Sequence, residues 1–313
     1  MAKAPPHPGL WSDAFERLAE RERFVRGILD AISDPTAVID RQGAVIHVNT
    51  AWRRFACANG GSAASGDVGV NFLDVCARSA GAGCADAVAA RDGVLAVLSG
   101  AMPVFEMEYA CHAPDGQRWF LQRVTPLPGF QAAVMVHVDI TWRRLAEERV
   151  AFLARHDPLT GLLNRSSLDS ALRAAIASVE EGATPAVLFI DLDRFKRAND
   201  EFGHAVGDAI LAEAAKRLRD VVRAHDHVVR AGGDEFVVIL SDVADLDRAE
   251  VAVHRAATAL ADPYRIGEVV AHLGASVGMA HPEPGDTPAS LMARADAAMY
   301  AAKRRRRGKA GRG

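Results

Sequence analysis

The chain has 313 residues, 50% of them hydrophobic and 25% charged, and 37 Lys and Arg against 40 Asp and Glu leave a net charge of -3. That length allows two domains, each able to bury a core, and a balance this near to neutral excludes a strongly basic nucleic-acid binder and a strongly acidic unfolded chain. No run of roughly 18 apolar residues occurs, so no membrane span is expected, and Met1–Leu10, broken by Pro5, Pro6 and Pro8, lacks the apolar heart of an export signal. Cys57, Cys76, Cys84 and Cys111 form no CxxC pair. Neither a structural zinc site nor a disulfide framework is expected, and a reducing cytoplasm is the expected setting.

Residues 1–10 read as a disordered start. Between Trp11 and Ile32 the apolar positions are Trp11, Phe15, Leu18, Val25, Leu29 and Ile32, a heptad-like seam interrupted at Glu22. This predicts an amphipathic helix that either packs on its own domain or pairs with a copy of itself. From Pro35 the period becomes that of strands, with Thr36–Asp40 and Ala44–Asn49 around the hairpin signal Arg41-Gln42-Gly43. An Ala- and Gly-rich helical stretch follows to about Gly100. Strand-like runs then cover Val104–His112, Gln117–Pro126 and Phe130–Val138, the first two joined by the turn signal Ala113-Pro114-Asp115-Gly116. Two strands, short helices and three strands predict an α+β domain with a five-stranded antiparallel sheet covered on one side. Thr141–His156 is charged and contains neither Gly nor Pro, so a stiff connecting helix is expected.

The second half alternates elements. Helices are expected over Ser166–Glu181, Ala205–Ala224, Leu246–Ala261 and Pro288–Arg305, and a basic tail follows. Strands are expected over Ala186–Asp191, Val228–Ala231, Glu235–Leu240, Tyr264–Ile266 and Val269–Ala280. Such alternation predicts an α/β domain, a central sheet flanked by helices.

Chemistry enters where the apolar strand Val187-Leu188-Phe189-Ile190 turns abruptly into Asp191-Leu192-Asp193. The two acids share a face, and a carboxylate at the end of a buried strand is costly unless something positive meets it. Taken alone, they read first as a cap for the helix that Arg194 and Phe195 open. Arg230-Ala231-Gly232-Gly233-Asp234-Glu235-Phe236 adds a two-residue Gly-Gly hairpin followed by two acids. The glycines let a ligand approach the backbone, and carboxylates suit Mg²⁺, which fills its remaining positions with phosphate oxygens and water. If this hairpin packs beside the first strand, Asp191 and Asp234 meet at a metal–nucleotide site.

These residues carry two family resemblances. Gly232-Gly233-Asp234-Glu235-Phe236 is identical to the signature of the GGDEF diguanylate cyclases. Asp157-Pro158-Leu159-Thr160-Gly161-Leu162-Leu163-Asn164-Arg165 resembles that family's DxLTGLxNR opening, and Asp191 to Lys196 with Asn199-Asp200 resembles its DxDxFKxxND segment. Gly203-His204, Gly207-Asp208 and the closing run from Ala295-Asp296 through Met299-Tyr300 to Lys303 follow at the family's spacing. The order of elements over residues 24–140, ending at Asp139-Ile140-Thr141, resembles a PAS domain. The resulting domain plan is a start and N-terminal helix over 1–23, a PAS sensor over 24–140, a signalling helix over 141–156, a GGDEF cyclase domain over 157–307 and a tail over 308–313.

The resemblance implies condensation of two GTP into cyclic di-GMP and two pyrophosphates, with one nucleotide on each domain of a homodimer. It implies Mg²⁺, with Mn²⁺ as an alternative, on Asp191, Asp234 and the carbonyl of Leu192, with Asp234 or Glu235 helping to take the proton. It assigns Asn199, His204 and Asp208 to the guanine, where Asp208 favours guanine over adenine. Gly232 and Gly233 belong to the nucleotide site, Phe195 and Lys196 lend backbone amides to the phosphates, and Lys303 and Arg307 clamp them. The chain departs from the family at Arg304-Arg305-Arg306-Arg307, where a Gly usually precedes the last Arg, and the neighbouring arginines are positioned to compete. Arg223-Ala224-His225-Asp226 resembles the family's RxxD product-inhibition site; without the resemblance it is an ion pair at a helix end.

The PAS ligand is left open. Flavin–thiol chemistry needs Cys after Gly-x-Asn, whereas Gly69-Val70-Asn71 precedes Phe72, and haem would need one of His47, His112, His137, Cys76 or Cys84 in the pocket. The expected function is a PAS-regulated cyclase. The rival is an inactive domain that binds GTP or cyclic di-GMP and signals through partners. A phosphodiesterase partner domain is not expected, because the chain ends at Gly313.

Overall fold

A computed structural model describes residues 8–58, 68–111, 116–243 and 246–310. The chain divides into two compact units, Met1–Glu147 and Glu148–Gly313. Its elements run α1 (Pro8–Ala31), β1 (Thr36–Asp40), β2 (Val45–Val48), α2 (Thr50–Ala58), α3 (Phe72–Gly81), α4 (Ala85–Leu98), β3 (Phe105–Ala110), β4 (Trp119–Pro126), β5 (Ala132–Asp139) and α5 (Thr141–Arg155). The second unit adds α6 (Arg165–Ser178), β6 (Ala186–Asp193), α7 (Phe195–Phe202), α8 (His204–Val221), β7 (His227–Gly232), β8 (Glu235–Leu240), α9 (Leu246–Ala261), β9 (Tyr264–Ile266), β10 (Val269–Ala271), β11 (Gly274–Ala280) and α10 (Pro288–Ala310). No helix among the described residues is long and apolar enough to cross a membrane.

In the first unit the sheet order is β2-β1-β5-β4-β3, with every neighbour antiparallel, as the strand pattern predicts. Asp40 builds the hairpin by accepting the amides of Gln42 and Ala44 on one carboxylate oxygen, which brings Gly43 to φ 82°. Ala37, Ile39, Val94, Val97, Val124 and Met135 form the core between sheet and helices. The start is helical earlier than the sequence suggests: α1 already includes Pro8, Gly9 and Leu10, and Pro8 at a helix entrance forfeits no hydrogen bond. Residues 1–7 lie outside the described residues, as do His112 and the turn at 113–115.

The second unit holds a four-stranded sheet, β11-β6-β8-β7, again wholly antiparallel. Its strands read as unbroken apolar runs because both faces are covered. Leu188, Ile190, Leu192, Phe236 and Val238 face the core shared with α8 and α9, while Val187, Phe189, Val237 and Ile239 face Leu168 and Leu172 of α6 and Leu291, Ala295 and Met299 of α10. β6 continues to Asp193, two residues past the expected end, because Leu192 and Asp193 still pair with Ala275 and Gly274 of β11. The single strand expected over Val269–Ala280 is two: β10 pairs with β9 in a separate ribbon, and β11 joins the main sheet.

The α10 stripe Leu291, Ala295, Met299 recurs every four residues, and Lys303 is its next member. Helix and sheet meet closely at Gly278 of β11, where an added Cβ would lie 2.0 Å from the Met299 amide nitrogen and 2.3 Å from the Ala295 carbonyl oxygen. Backbone cannot retract as a side chain can. Gly278→Ala is therefore expected to destabilise the second unit by about 2 kcal/mol, the scale of an overpacked core, read as a lower urea midpoint with an unchanged slope.

Candidate active site

The acids converge at the end of the two central strands. Asp191 of β6 pairs directly with Glu235 of β8 and, on the other side, with Ser276 of β11. Directly opposed residues share a face, and here it is the α10 face. Asp191 is buried, and its Oδ1 accepts from Lys303 Nζ at 2.6 Å. Asp193, two residues on, accepts from Ser276 Oγ at 2.8 Å and from Arg306 at 3.2 Å. The strand-end carboxylates thus meet the cations that their burial demands.

The hairpin that brings in Asp234 is shifted by one residue from the Gly-Gly turn expected. Gly232 still pairs with Glu235, a bulge separates Arg230 from Gly232, and the tip is Gly233-Asp234. Gly233 has φ 51°, the left-handed conformation that the turn requires. The tip is tied to the neighbouring strand end by the Leu192 amide, which donates to the Asp234 carbonyl at 3.2 Å. Burial pushes the Asp234 carboxyl above its ordinary value, and the Asp191 charge pushes the same way. Glu235, exposed beside the turn, is raised by partial desolvation and by the charges of Asp191 and Asp234.

Such mutual repulsion is the electrostatic signature of a place for a cation. Among the described residues, no three His, Cys, Asp or Glu side chains form a metal cage on their own. The donor set of Asp191, Asp234 and the Leu192 carbonyl nevertheless fits Mg²⁺, which takes one or two carboxylates and completes its shell with phosphate and water.

The remaining residues surround this centre. Arg194, at φ 66° the one non-glycine residue with positive φ among those described, turns the chain from β6 into α7. Phe195 is buried and Lys196 exposed in the first turn of α7, where backbone amides lack helical partners. Asn199 lies over Gly207: an added Cβ there would sit 1.7 Å from Asn199 Oδ1, and that buried oxygen has no partner among the described residues. His204 and Asp208 are exposed, one turn apart at the start of α8. Lys303 is placed at the acids, whereas the side chain of Arg307 lies outside the described residues. Arg306, in the arginine run, donates to Asp193 and to the Ala275 carbonyl.

Arg223 and Asp226 stand apart from this cluster. Asp226 accepts the Arg223 amide at 2.8 Å and the Ser241 amide at 3.1 Å, which fixes the turn between α8 and β7. Both residues line a separate cavity of about 190 Å³ shared with Arg248 and Arg255.

Sequence reasoning missed a brace behind the hairpin. Arg230 donates through Nε and NH2 to the Gly233 carbonyl at 3.0 and 2.9 Å, and through NH1 to both carboxylate oxygens of Asp157 at 3.1 Å. Asp157 also accepts from the amide and hydroxyl of Thr160 at 2.9 and 2.7 Å. The signal was an Arg alternating with the hairpin glycines and an Asp opening a Thr-Gly turn. Burial raises the Asp157 carboxyl, but its bonds to Thr160 and Arg230 outweigh burial and hold it below the ordinary 3.8. Its stabilisation is thus full above pH 3.8 and is lost as the pH falls through the lower folded value. Asp157→Asn is expected to cost about 2 kcal/mol at pH 7. The gap from wild type should narrow steadily below pH 3.8 in urea titrations.

Residues 154–309 match the family model described as "Diguanylate cyclase, GGDEF domain", and residues 29–145 match one described as "PAS fold". An uncharacterized signaling protein of Caulobacter vibrioides is 46% identical over 175 residues, covering 54% of this chain and 21% of its own. The diguanylate cyclase TpbB of Pseudomonas aeruginosa is 42% identical over 221 residues, covering 66% of this chain and 50% of its own. This chain thus spans no more than half the length of either curated relative. A solved sensory box/GGDEF family protein from Caulobacter crescentus is 45% identical, with 48% of this chain and 99% of that one covered at a TM-score of 0.46. With a GGDEF model matched over residues 154–309 and a PAS model over 29–145, this chain belongs to the GGDEF family, its GGDEF domain following a PAS fold.

Proposed function

We propose that the chain is a diguanylate cyclase, condensing two GTP into cyclic di-GMP and two pyrophosphates as a homodimer under control of its PAS domain and its product. The observation that carries this reading is the convergence of Asp191, Asp234 and Glu235 at one strand end beneath Lys303.

Asp191, Asp234 and the Leu192 carbonyl would hold Mg²⁺ or Mn²⁺; when bound, the cation neutralises the triphosphate and makes the 3′-hydroxyl more acidic. Asp234 or Glu235 would help take the proton of the 3′-hydroxyl. The freed oxygen bonds to the α-phosphorus of the facing nucleotide, and the bond from that phosphorus to pyrophosphate breaks. Unhindered Gly232 and Gly233 leave the hairpin backbone open to the nucleotide, since an added Cβ at either meets nothing within 4 Å. The first-turn amides at Phe195 and Lys196 receive phosphate oxygens, and Lys303, with Arg307, supplies positive charge to them. Asn199, with its unpartnered buried oxygen, and exposed His204 and Asp208 read the guanine edge; a carboxylate at 208 accepts from guanine N1–H and N2–H, which adenine does not offer.

The homodimer reading draws on uncovered apolar residues. Leu18 and Val25 on α1 and Ile32 just past its end are exposed at seven-residue spacing, and on α5 Trp142 and Val150 are exposed. The inhibition reading draws on the cavity around Arg223, lined by arginines that suit a phosphate or a guanine and by the carboxylates of Asp226 and Asp242.

Incubation with GTP and Mg²⁺ after removal of bound product should yield cyclic di-GMP by nucleotide chromatography, with the rate falling roughly a hundredfold in Asp234→Ala. A wild-type dimer that makes none would leave only nucleotide binding. Arg223→Ala should raise the cyclic di-GMP concentration for half-inhibition by about tenfold, the loss of one charge-assisted contact. An unchanged inhibition curve would remove the product site from Arg223.

A further inference from the structure

The end of α10 is fastened to the sheet by two ion pairs in series. Lys303 Nζ lies 2.6 Å from Asp191, and one turn further on Arg306 NH1 lies 3.2 Å from Asp193. The partners follow one another along both the helix and β6, so the pairs are successive rungs between the same two elements. The inner rung belongs to the acid cluster. The outer rung stands beside it, where the Ser276 hydroxyl also holds Asp193 at 2.8 Å.

An ordinary exposed ion pair contributes little. Arg306 differs from one in its surroundings. Its NH1 serves two acceptors, the Asp193 carboxylate and the Ala275 carbonyl, and so ties α10 to both β6 and β11. Gly274, directly opposite Asp193, leaves room for the guanidinium: an added Cβ would lie 3.1 Å from Asp193 Oδ2 and 3.4 Å from Arg306 NH1. The helix is thereby held at two places, at Met299 on Gly278 and at Arg306, about 10 Å apart along its axis. Lys303 lies between them. In the proposed function its ammonium turns from Asp191 to the nucleotide phosphates, which opens the inner rung. The outer rung uses none of the groups assigned to the nucleotide or the cation, so it stays closed.

We propose that Arg306 is a positioning residue: by gripping Asp193 and the Ala275 carbonyl, it keeps the last turns of α10 over the strand ends while Lys303 changes partner from Asp191 to the triphosphate. Position 306 is also where this chain departs from the glycine of the GGDEF pattern. The inference rests on the nucleotide site of the cyclase reading but not on turnover.

The test is calorimetric titration of the full chain, freed of bound product, with Mg²⁺ and a GTP analogue whose α- and β-phosphorus atoms are joined by methylene, so that no pyrophosphate can leave. Arg306→Ala and Asp193→Ala are each expected to weaken binding about fivefold, the scale of a half-exposed ion pair with a second acceptor. The double variant should also lose about fivefold, against the roughly 25-fold of independent effects. Arg306→Lys, which keeps the charge without the planar fork, should recover part of the loss. With the analogue bound, hydrogen exchange at the α10 amides of residues 302–306 should quicken in both single variants. Tighter binding by Asp193→Ala would mean that a released Arg306 holds phosphate itself, and would overturn the proposal. Unchanged affinity, additive losses, or no binding by wild type would overturn it as well. If these variant effects appear while wild type makes no cyclic product from GTP, the cyclase reading fails and the positioning role stands. Should Asp193→Ala fail to fold, Arg306→Ala, Arg306→Lys and the exchange rates decide alone.

Discussion

The second unit is organised around a repulsion. Asp191, Asp234 and Glu235 meet at the end of two strands whose other residues are buried on both faces, and at buried Asp191 water can disperse little of the charge. Placing like charges together is unfavourable, and the rest of the unit is arranged to hold them there nonetheless. The Lys303 ammonium sits on Asp191 as the last step of a helical stripe, and Arg230 grips the carbonyl at the hairpin tip. The Asp157 carboxylate keeps Arg230 from turning toward the acids. A folded state that keeps carboxylates at close quarters is poised to take a divalent cation, since the work of assembling them is done by folding.

Much of this was legible in the sequence because the relevant periods are short and local. The even and odd positions of β6 separate two cores, and that same parity sends Asp191 and Asp193 to the α10 face with Lys303. The helix α9 and the strand β9 fall where their patterns place them. Less was legible wherever tertiary pairing overrides local pattern. Asp193 lies within a strand because β11 pairs with it, and no feature of residues 186–193 announces that partner. The split of Val269–Ala280 into strands of different sheets is likewise a matter of neighbours. The brace from Asp157 to Arg230 spans 73 positions, a separation that no periodicity reads.

The first unit shows a buried polar group that is fully satisfied. Asn49 is almost wholly buried and uses its side chain fully: Oδ1 accepts the amides of Thr36 and Trp52, while Nδ2 donates to the carbonyls of Leu29, Ile32 and Asp34. One amide thereby fastens the end of α1, the start of β1 and the start of α2. A network completed in this way is architecture.

The seating of α10 on Gly278 has a mechanical meaning. At Gly278 main chain rests on main chain, so at that point no side chain can compress and the approach of the Lys303 helix to the sheet meets a hard stop. This wall of the site cannot sink toward the sheet. Any adjustment of the cleft falls to the opposite side, where the glycine hairpin carries no side chain to obstruct it.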